Sequence, residues 1–160
     1  MPKHQIDQID RKILTRLQKD GRIANNDLAT DVGLLPSPCL RRVKALEESG
    51  VIRTYVALVD PVLVDLPVNV FVSVTLEKQI EERLDAFEEA IRQRPEVLEC
   101  YLMIGEADYL LRVVVPDLAA YEQFLKTHLT RIPGVSSIKS SFALKQVRYE
   151  TALPLHHLQV

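Results

Sequence analysis

The sequence is poor in the residues from which metal centres and nucleophilic active sites are built. Its two cysteines, Cys39 and Cys100, lack the spacing of a metal site, and we expect both to stay reduced in the cytosol. The adjacent His156 and His157 would make a poor chelate, and a tail docked at a subunit interface is the alternative. A glycine-rich phosphate loop and a nucleophile–base pair are also missing. We therefore predict no enzymatic activity, no metal site and no cofactor.

Long apolar runs are missing too. No stretch approaches the roughly 18 residues of a membrane span, and the polar N-terminus has no signal-peptide pattern, so we expect a soluble cytoplasmic protein without a membrane partner. A net charge of −2 excludes a surface coated in basic charge. The charge is unevenly distributed, however: residues 1–55 carry 10 Lys and Arg against 7 Asp and Glu, and residues 56–160 carry 10 against 15. A basic N-terminal segment on an acidic remainder favours nucleic-acid binding.

Residues 25–53 have the pattern of a short helix, a turn and a second helix. The turn falls at Gly33. Ser37 is a suitable N-cap for the second helix because its hydroxyl can accept a bond from a free backbone N–H, and Pro38 then occupies the first helical position. Gly50 follows the last turn, where a left-handed residue is needed. This pattern predicts a helix-turn-helix unit.

The second of these helices has an apolar face and a basic face. Leu40, Val43 and Leu46 share the apolar face at helical spacing. A capped helix with a basic front fits the major groove, although a solvated helix face is the alternative. Arg42 or Arg41 would contact bases, and Lys44 and Arg53 would contact only phosphates. The candidate DNA-binding residues are Asn25, Asn26, Ser37, Pro38, Cys39, Arg41, Arg42, Lys44 and Arg53, with a packing role as the alternative for Cys39.

The flanking segments complete an N-terminal domain. A helix over residues 7–19 begins at the N-cap Asp7, and Asn25 or Asn26 caps the next helix. Residues 51–59 are β-branched and aromatic, which predicts a strand, and a linker follows from Pro61 to Pro67. We therefore predict a DNA-binding domain over residues 1–60 and a second domain over residues 61–160.

Beyond the linker the hydrophobic period changes repeatedly. The patterns predict strands over residues 68–76, 97–104, 109–115 and 135–144, with amphipathic helices after the first and third. The order β-α-β-β-α-β is that of the ferredoxin-like fold, so the chain belongs to the α+β class. The other face of the sheet has no helix of its own. We expect Phe71, Tyr101 and the residues around Phe142 to cover it by pairing with a second copy, giving a homodimer.

Several ordered motifs in both halves resemble one family. They are Ile9-Asp10-Arg11-Lys12-Ile13-Leu14, Pro36-Ser37-Pro38-Cys39-Leu40-Arg41-Arg42-Val43, Gly50-Val51-Ile52, Gly105-Glu106-Ala107-Asp108-Tyr109-Leu110-Leu111 and Ile132-Pro133-Gly134-Val135. Over nearly its whole length the chain resembles the Lrp/AsnC family of bacterial and archaeal regulators. The resemblance implies a winged helix-turn-helix domain followed by a ferredoxin-like domain of the RAM type. It also implies dimers that assemble into tetramers or octamers, and association with the nucleoid.

The resemblance further implies a pocket for a free amino acid around residues 105–109. The implied residues are Met103, Gly105, Glu106, Ala107, Asp108, Tyr109 and Ser140. The Asp108 carboxylate would accept from the ligand's ammonium, loop N–H groups would hold its carboxylate, and Ser140 would add a hydroxyl. A simple turn cap is the alternative for Asp108. Glu106 and Ala107 depart from the family, where many members have Asp and an aromatic residue, so effector identity does not carry over.

These observations predict a sequence-specific DNA-binding transcriptional regulator whose oligomer or DNA affinity responds to a small amino acid. Its expected partners are double-stranded DNA, a free amino acid and further copies of itself. The alternatives are an amino-acid-binding module whose head contacts a protein, and a small enzyme on a ferredoxin-like fold, because a fold alone does not determine function.

Overall fold

The structure, a computed structural model, describes residues 5–158 and divides into two compact units. The first, here called the head, comprises Met1–Leu58 together with Arg148–Val160. The second, here called the sheet domain, comprises Val59–Val147. The first unit ends at Leu58, close to the predicted boundary at residue 60. The described residues from 148 onward belong to the head, whereas the sequence prediction placed them in the second domain. The contacts of that tail, given below, explain this difference.

Three helices form most of the head: α1 (Gln8–Leu17), α2 (Asn25–Val32) and α3 (Pro36–Glu48). The first begins as the sequence predicts. The Asp7 side chain accepts from the Asp10 backbone N–H, and the Asp10 side chain accepts in return from the Asp7 N–H, which makes a reciprocal capping box. The buried side chains of the three helices pack into one small apolar core, formed by Ile13, Leu14, Leu28, Ala29, Val32, Cys39 and Leu46.

The starts of the other two helices differ from the prediction. The N-cap of α2 is Ala24, and Asn25 is its first residue, whose side-chain amide donates to the Pro36 carbonyl 2.8 Å away. The N-cap of α3 is Leu35, so the helix begins at Pro36, two residues before the predicted first position. Pro36, rather than Pro38, is therefore the proline at the first helical position, where the missing N–H of proline costs nothing. Neither helix has a side-chain cap, because the side chains of Ala24 and Leu35 have no polar atom that could accept a hydrogen bond.

The two predicted glycine positions are confirmed by their backbone angles. Gly33 has φ +75° and ψ +37°, the left-handed conformation that ends α2 and starts the turn into α3. Gly50 has φ +77° just beyond the end of α3. A side chain is strained in this conformation, so a glycine is favoured at both ends of the turn–helix unit.

The predicted strand over residues 51–59 is absent. These residues run without strand pairing, because a strand needs a neighbour and the described chain offers none there. Part of the segment is nevertheless held to the head. The Tyr55 hydroxyl donates to the Glu47 carboxylate at 2.9 Å, and burial together with Glu47 raises the pKa of Tyr55 to about 12. A short 3-10 turn, Val62–Val64, lies in the predicted linker.

The C-terminal tail completes the head. The Gln18 side chain clamps the Leu153 backbone: its amide donates to the Leu153 carbonyl at 3.1 Å, and its oxygen accepts from the Leu153 N–H at 2.7 Å. Leu155 packs against the apolar core of the head. Arg11 donates to the Leu158 carbonyl at 3.5 Å. The tail therefore extends a core that three short helices leave small.

The sheet domain has the predicted β-α-β-β-α-β order. Its elements are β1 (Val68–Leu76), α4 (Glu81–Arg92), β2 (Val97–Leu102), β3 (Tyr109–Val115), α5 (Leu118–Thr127) and β4 (Val135–Phe142). The strands form one four-stranded antiparallel sheet in the order β2-β3-β1-β4. Side chains alternate between its faces. One face packs with α4 and α5 into a continuous apolar core that includes Val72, Leu111, Phe87 and Phe124.

The opposite, helix-free face carries the other set of alternating side chains. Phe71 pairs with Arg112 across β1 and β3, and both lie on this face. Arg112 donates to Glu99 at 2.8 Å and to Asn69 at 3.2 Å, so part of the face is a polar network. Phe142 is not on it: this residue pairs with Val70, and its ring meets Tyr121 edge-on on the helix side. Of the predicted residues around Phe142, Phe142 itself therefore does not cover the free face, whereas its neighbour Ser141 pairs with Phe71. Phe71 and Tyr101 are exposed aromatic residues of this face.

Candidate DNA-binding surface and effector pocket

The outer face of α3 carries one row of exposed side chains. Ser37, Leu40, Arg41 and Lys44 are all exposed and lie at i, i+3, i+4 and i+7, which places them on one helix face. We call them the α3 row. Leu40 was predicted to be buried but is 43% exposed. The apolar face of α3 is formed instead by Cys39, Val43 and Leu46.

Arg42 does not belong to the α3 row. One nitrogen, Nη1, donates to Asp7 Oδ2 at 2.7 Å and to Asp10 Oδ1 at 2.8 Å, and so ties α3 to the capping box of α1. Asp10 is 3% exposed. The hydrogen bonds that Arg42 donates to Asp7 and Asp10 raise the pKa of Arg42. The Asp10 backbone N–H and Arg42 lower the pKa of Asp7. Arg42 thus has a structural role that the sequence pattern did not reveal, and a contact between Arg42 and DNA stays a prediction.

Cys39 also differs from its predicted DNA-binding role. It is fully buried in the core of the head, and this burial raises the pKa of its thiol. A buried side chain cannot contact DNA, so the alternative packing role is the one that the structure supports. A small side chain suits this position because α3 approaches the other two helices at its first turn.

The remaining DNA-binding candidates stay predictions. Asn26 and Arg53 are exposed, and Pro38 is half-buried within the first turn of α3. Asn25 is half-buried and joins α2 to α3 through the Pro36 carbonyl. Of these four residues, Asn25 thus has a structural role that the sequence pattern did not reveal.

A pocket of about 540 Å³ opens on the helix-free face, beside the loop between β2 and β3. The loop supplies residues that were predicted to bind the effector, and β1, β3 and β4 supply the side chains that form the floor of the pocket. The lining residues are Ser73, Thr75, Met103, Ile104, Gly105, Glu106, Ala107, Tyr109, Leu110, Ser137 and Lys139. The structure therefore brings together the predicted Met103, Gly105, Glu106, Ala107 and Tyr109.

Asp108 is turned away from this pocket and is 4% exposed. One carboxylate oxygen accepts from the Leu76 backbone N–H at 2.7 Å, and the other accepts from the Gln79 side-chain amide. The Asp108 N–H in turn donates to the Val74 carbonyl at 3.0 Å. The prediction that Asp108 accepts from a ligand's ammonium is therefore corrected. This carboxylate fixes the loop to the end of β1, as in the turn-cap alternative.

Ser140 and Tyr109 also face the helix side of the sheet. The Ser140 hydroxyl is hydrogen-bonded to that of Tyr121, so its predicted place in the pocket is wrong. The Tyr109 ring stacks on Phe87 at 4.4 Å between centroids, and its hydroxyl donates to Glu88 at 3.0 Å. Burial and Glu88 raise the pKa of Tyr109. Tyr109 thus borders the pocket while its ring belongs to the core.

The pocket residues that sequence reasoning missed all lie on strands. Ser73 and Thr75 alternate with the buried Val72 and Val74, and Ser137 and Lys139 alternate with the core-facing Ile138. Strand alternation was the available signal: side chains of this parity must share the helix-free face. Applied to β4, it would have excluded Ser140 and selected its neighbour Lys139.

Comparison with known families supports both halves. Residues 69–153 match the Lrp/AsnC ligand binding domain, and residues 6–53 match a winged helix-turn-helix DNA-binding domain. The chain belongs to the Lrp/AsnC family. It is thus a DNA-binding transcriptional regulator that carries a ligand-binding domain.

Named relatives of this Lrp/AsnC regulator span nearly all of it. The Bkd operon transcriptional regulator of Pseudomonas aeruginosa is 52% identical over 94% of this chain and 99% of its own length. The leucine-responsive regulatory protein of Escherichia coli K12 is 41% identical over 95% of this chain and 93% of its own. Both of these relatives are named as regulators.

Solved structures agree with this assignment. A transcriptional regulator from Neisseria meningitidis, in complex with L-Met, matches with a TM-score of 0.92 and 41% identity over 96% of this chain and 99% of its own. An AsnC family regulator from Agrobacterium tumefaciens matches with a TM-score of 0.91 and 48% identity over the same shares. Within residues 5–158, no helix of this Lrp/AsnC protein has the length and apolar character needed to cross a membrane.

Proposed function

We propose that this regulator binds a free amino acid with an apolar side chain in the pocket beside Gly105, and that binding changes its affinity for DNA. The observation that carries the proposal is the presence of one acid and one base in a pocket that also contains the apolar side chains of Met103 and Leu110. Glu106 lies in the loop, and Lys139 lies on β4, with the β1 hydroxyls of Ser73 and Thr75 between them.

A free amino acid needs both charges of this pocket. Its ammonium and its carboxylate are each costly to desolvate without a partner. Glu106 offers an acceptor for the ammonium, and Lys139 offers a charge-assisted donor for the carboxylate, supported by the Ser73 and Thr75 hydroxyls. Met103 and Leu110 would contact the side chain. The L-Met complex of the Neisseria meningitidis regulator supports an effector of this chemical class.

We propose that the chain forms a homodimer through the helix-free face and that dimers assemble into tetramers or octamers. We further propose that these assemblies lie in the cytoplasm, associated with the nucleoid. Phe71 and Tyr101 are 39% and 53% exposed on that face, which no helix of the sheet domain covers. Sedimentation of the full chain tests this. Phe71→Glu should shift the population toward monomer, whereas Leu118→Glu, an equally drastic change on the exposed side of α5, should not. Equal behaviour of the two variants would contradict dimerisation through this face.

The ligand experiment starts from a thermal-shift screen of the twenty L-amino acids on the full chain. A ligand at a hundredfold excess over its Kd stabilises the folded state by about 2.7 kcal/mol. Calorimetric titration of the best ligand is then repeated with Lys139→Ala and Glu106→Gln. Each should weaken binding at least tenfold, because each leaves one ligand charge without a partner.

Matched controls separate a local effect from a general one. Lys145→Ala and Glu82→Gln remove the same charges outside the pocket and should leave the ligand's Kd unchanged. Mobility shifts with and without ligand then measure the change in DNA affinity, which must equal the effect of DNA on ligand affinity. Unchanged binding in both pocket variants would overturn the proposed site.

A further inference from the structure

Leu40 is an apolar residue in a polar setting. It is 43% exposed in the α3 row, between the exposed Ser37 and Lys44 and next to Arg41. The core below α3 is filled without it, because Cys39 and Leu46 are fully buried and Val43 packs against them. Leu40 therefore does little for the fold, and its exposed surface costs free energy in water.

We propose that Leu40 is a specificity-determining residue that contacts the C5-methyl group of a thymine in the major groove. The methyl group is the apolar feature that base pairs present in this groove, and aliphatic side chains are suited to it. Arg41 and Lys44, exposed on the same row, supply the charges that hold such a helix against DNA. Leu40 would then add sequence preference where the cations add affinity.

This inference rests on the α3 row being the surface that meets the groove. The α3 row combines a hydroxyl, an aliphatic side chain, an arginine and a lysine on one exposed face. Arg42, in contrast, donates hydrogen bonds to Asp7 and Asp10. Residues one turn apart lie about 5–6 Å apart, so Leu40 and Lys44 can meet the same stretch of a groove. The experiment below therefore includes a variant that tests the row itself.

The test removes one methyl group at a time from the DNA. A preferred site is first selected from random duplexes with the wild-type chain, and each thymine of one half-site is then replaced by deoxyuridine. Mobility shifts at fixed salt should find a thymine whose demethylation weakens wild-type binding about fourfold, the value of one buried methyl group. Leu40→Ala should bind the site that contains thymine about as weakly as the wild type binds the demethylated site. Replacing that thymine by deoxyuridine should not weaken the binding of Leu40→Ala further.

Two further variants make the result decisive. Leu35→Ala changes another exposed leucine, 75% exposed and outside the α3 row, and should keep the wild-type response at that thymine. Arg41→Ala should weaken binding severalfold while keeping the response. If demethylation weakens the binding of Leu40→Ala as much as that of the wild type, the inference is wrong. Weakened binding of Arg41→Ala would then show that the α3 row still contacts DNA. If Arg41→Ala binds normally as well, the proposed DNA-binding surface fails with it.

Discussion

In the head, a small apolar core is closed by polar contacts between distant segments, whereas in the sheet domain a continuous apolar layer lies between two helices and four strands. Arg42 joins α3 to α1, and Gln18 joins α1 to the tail. In the sheet domain, the buried carboxylate of Asp108 fixes the loop before β3 to the end of β1. The comparison indicates that the head depends on single polar side chains and the sheet domain on packed area.

The same comparison explains why two of the predicted site residues have structural roles. Arg42 and Asp108 are charged residues beside a ligand surface, and each was expected to contact the ligand. Each instead bonds to groups far away in the sequence, 29 or more positions distant. A charged side chain that closes a core or fixes a loop is not available to a ligand, because its desolvation is already compensated. The ligand surfaces are left to exposed neighbours, Arg41 and Glu106.

The largest effects should come from the cores. Leu46→Ala in the head and Leu111→Ala in the sheet domain each remove a fully buried side chain, and each should cost about 3 kcal/mol in the free energy of unfolding. We expect Leu46→Ala to abolish DNA binding while β1 and β3 keep their amide protection in hydrogen exchange. Leu111→Ala should expose those strands. Equal loss of protection in both regions for both variants would mean that the two units unfold as one.

Arg42→Ala should be the most damaging change of a charged residue. It removes the cation from Asp10, which is 3% exposed, and should lower the free energy of unfolding of the head by about 2 kcal/mol. Urea unfolding followed by far-UV circular dichroism measures this. Arg41→Ala, exposed one residue earlier, should change stability by less than about 0.5 kcal/mol. If the two variants are equally stable, the contacts of Arg42 with Asp7 and Asp10 contribute nothing to folding.

Asp108→Ala tests the corresponding carboxylate of the sheet domain. It leaves the Leu76 N–H without its acceptor, which should cost about 1–2 kcal/mol. Asp108→Asn should cost less, because its side-chain oxygen can still accept from Leu76 and a rotated Gln79 amide can accept from its NH2 group. The ordering of the two variants in urea unfolding is the measurement. Full stability of Asp108→Ala, with lost ligand binding, would return the residue to the role first predicted from sequence.

Local patterns account for most of the fold and for less of the site. Strand alternation predicted the bounds of β1 and β3 as the structure has them, because half-buried strands repeat every two residues. Helical periodicity gave the wrong burial for Leu40. Two sets of residues, 40, 43 and 46 or 39, 43 and 46, fit the helical period equally well as the apolar face of α3. Only the packing of α3 on the other helices distinguishes these alternatives.

Contacts across the chain are the part that local patterns miss. Nothing near Asp7 shows that Arg42 will meet it, and nothing near Gln18 shows that Leu153 will return to it, 135 positions later. Such pairs depend on how the elements pack. The pocket lies between these two cases. The family resemblance identified its loop. Strand alternation could have identified its strand residues, but it was not used to select them.

Gln18→Ala should have a smaller effect, limited to the tail. It removes two hydrogen bonds to the Leu153 backbone at an exposed site and should cost the head about 1 kcal/mol. Hydrogen exchange should show faster exchange at the Leu153 N–H. Gln8→Ala, an exposed change on the same helix, serves as the control. If both variants leave that amide protected, Leu155 alone holds the tail.

The smallest expected effect is a change in the acid stability of the head. The Asp10 backbone N–H and Arg42 hold the pKa of Asp7 below its usual value, so the folded head favours the charged carboxylate. This contribution is fully present above the unfolded pKa, near pH 4, and is lost as the pH falls through the lower folded pKa. Asp7→Asn keeps an oxygen for the helix cap but cannot titrate, so the head's free energy of unfolding should fall less steeply below pH 4. The sheet domain's transition is the internal control, because its acid slope should not change. Identical slopes for the head in both proteins would show that Asp7 contributes no charge-dependent stability, and the head would then depend on Asp10 alone for its ion pair with Arg42.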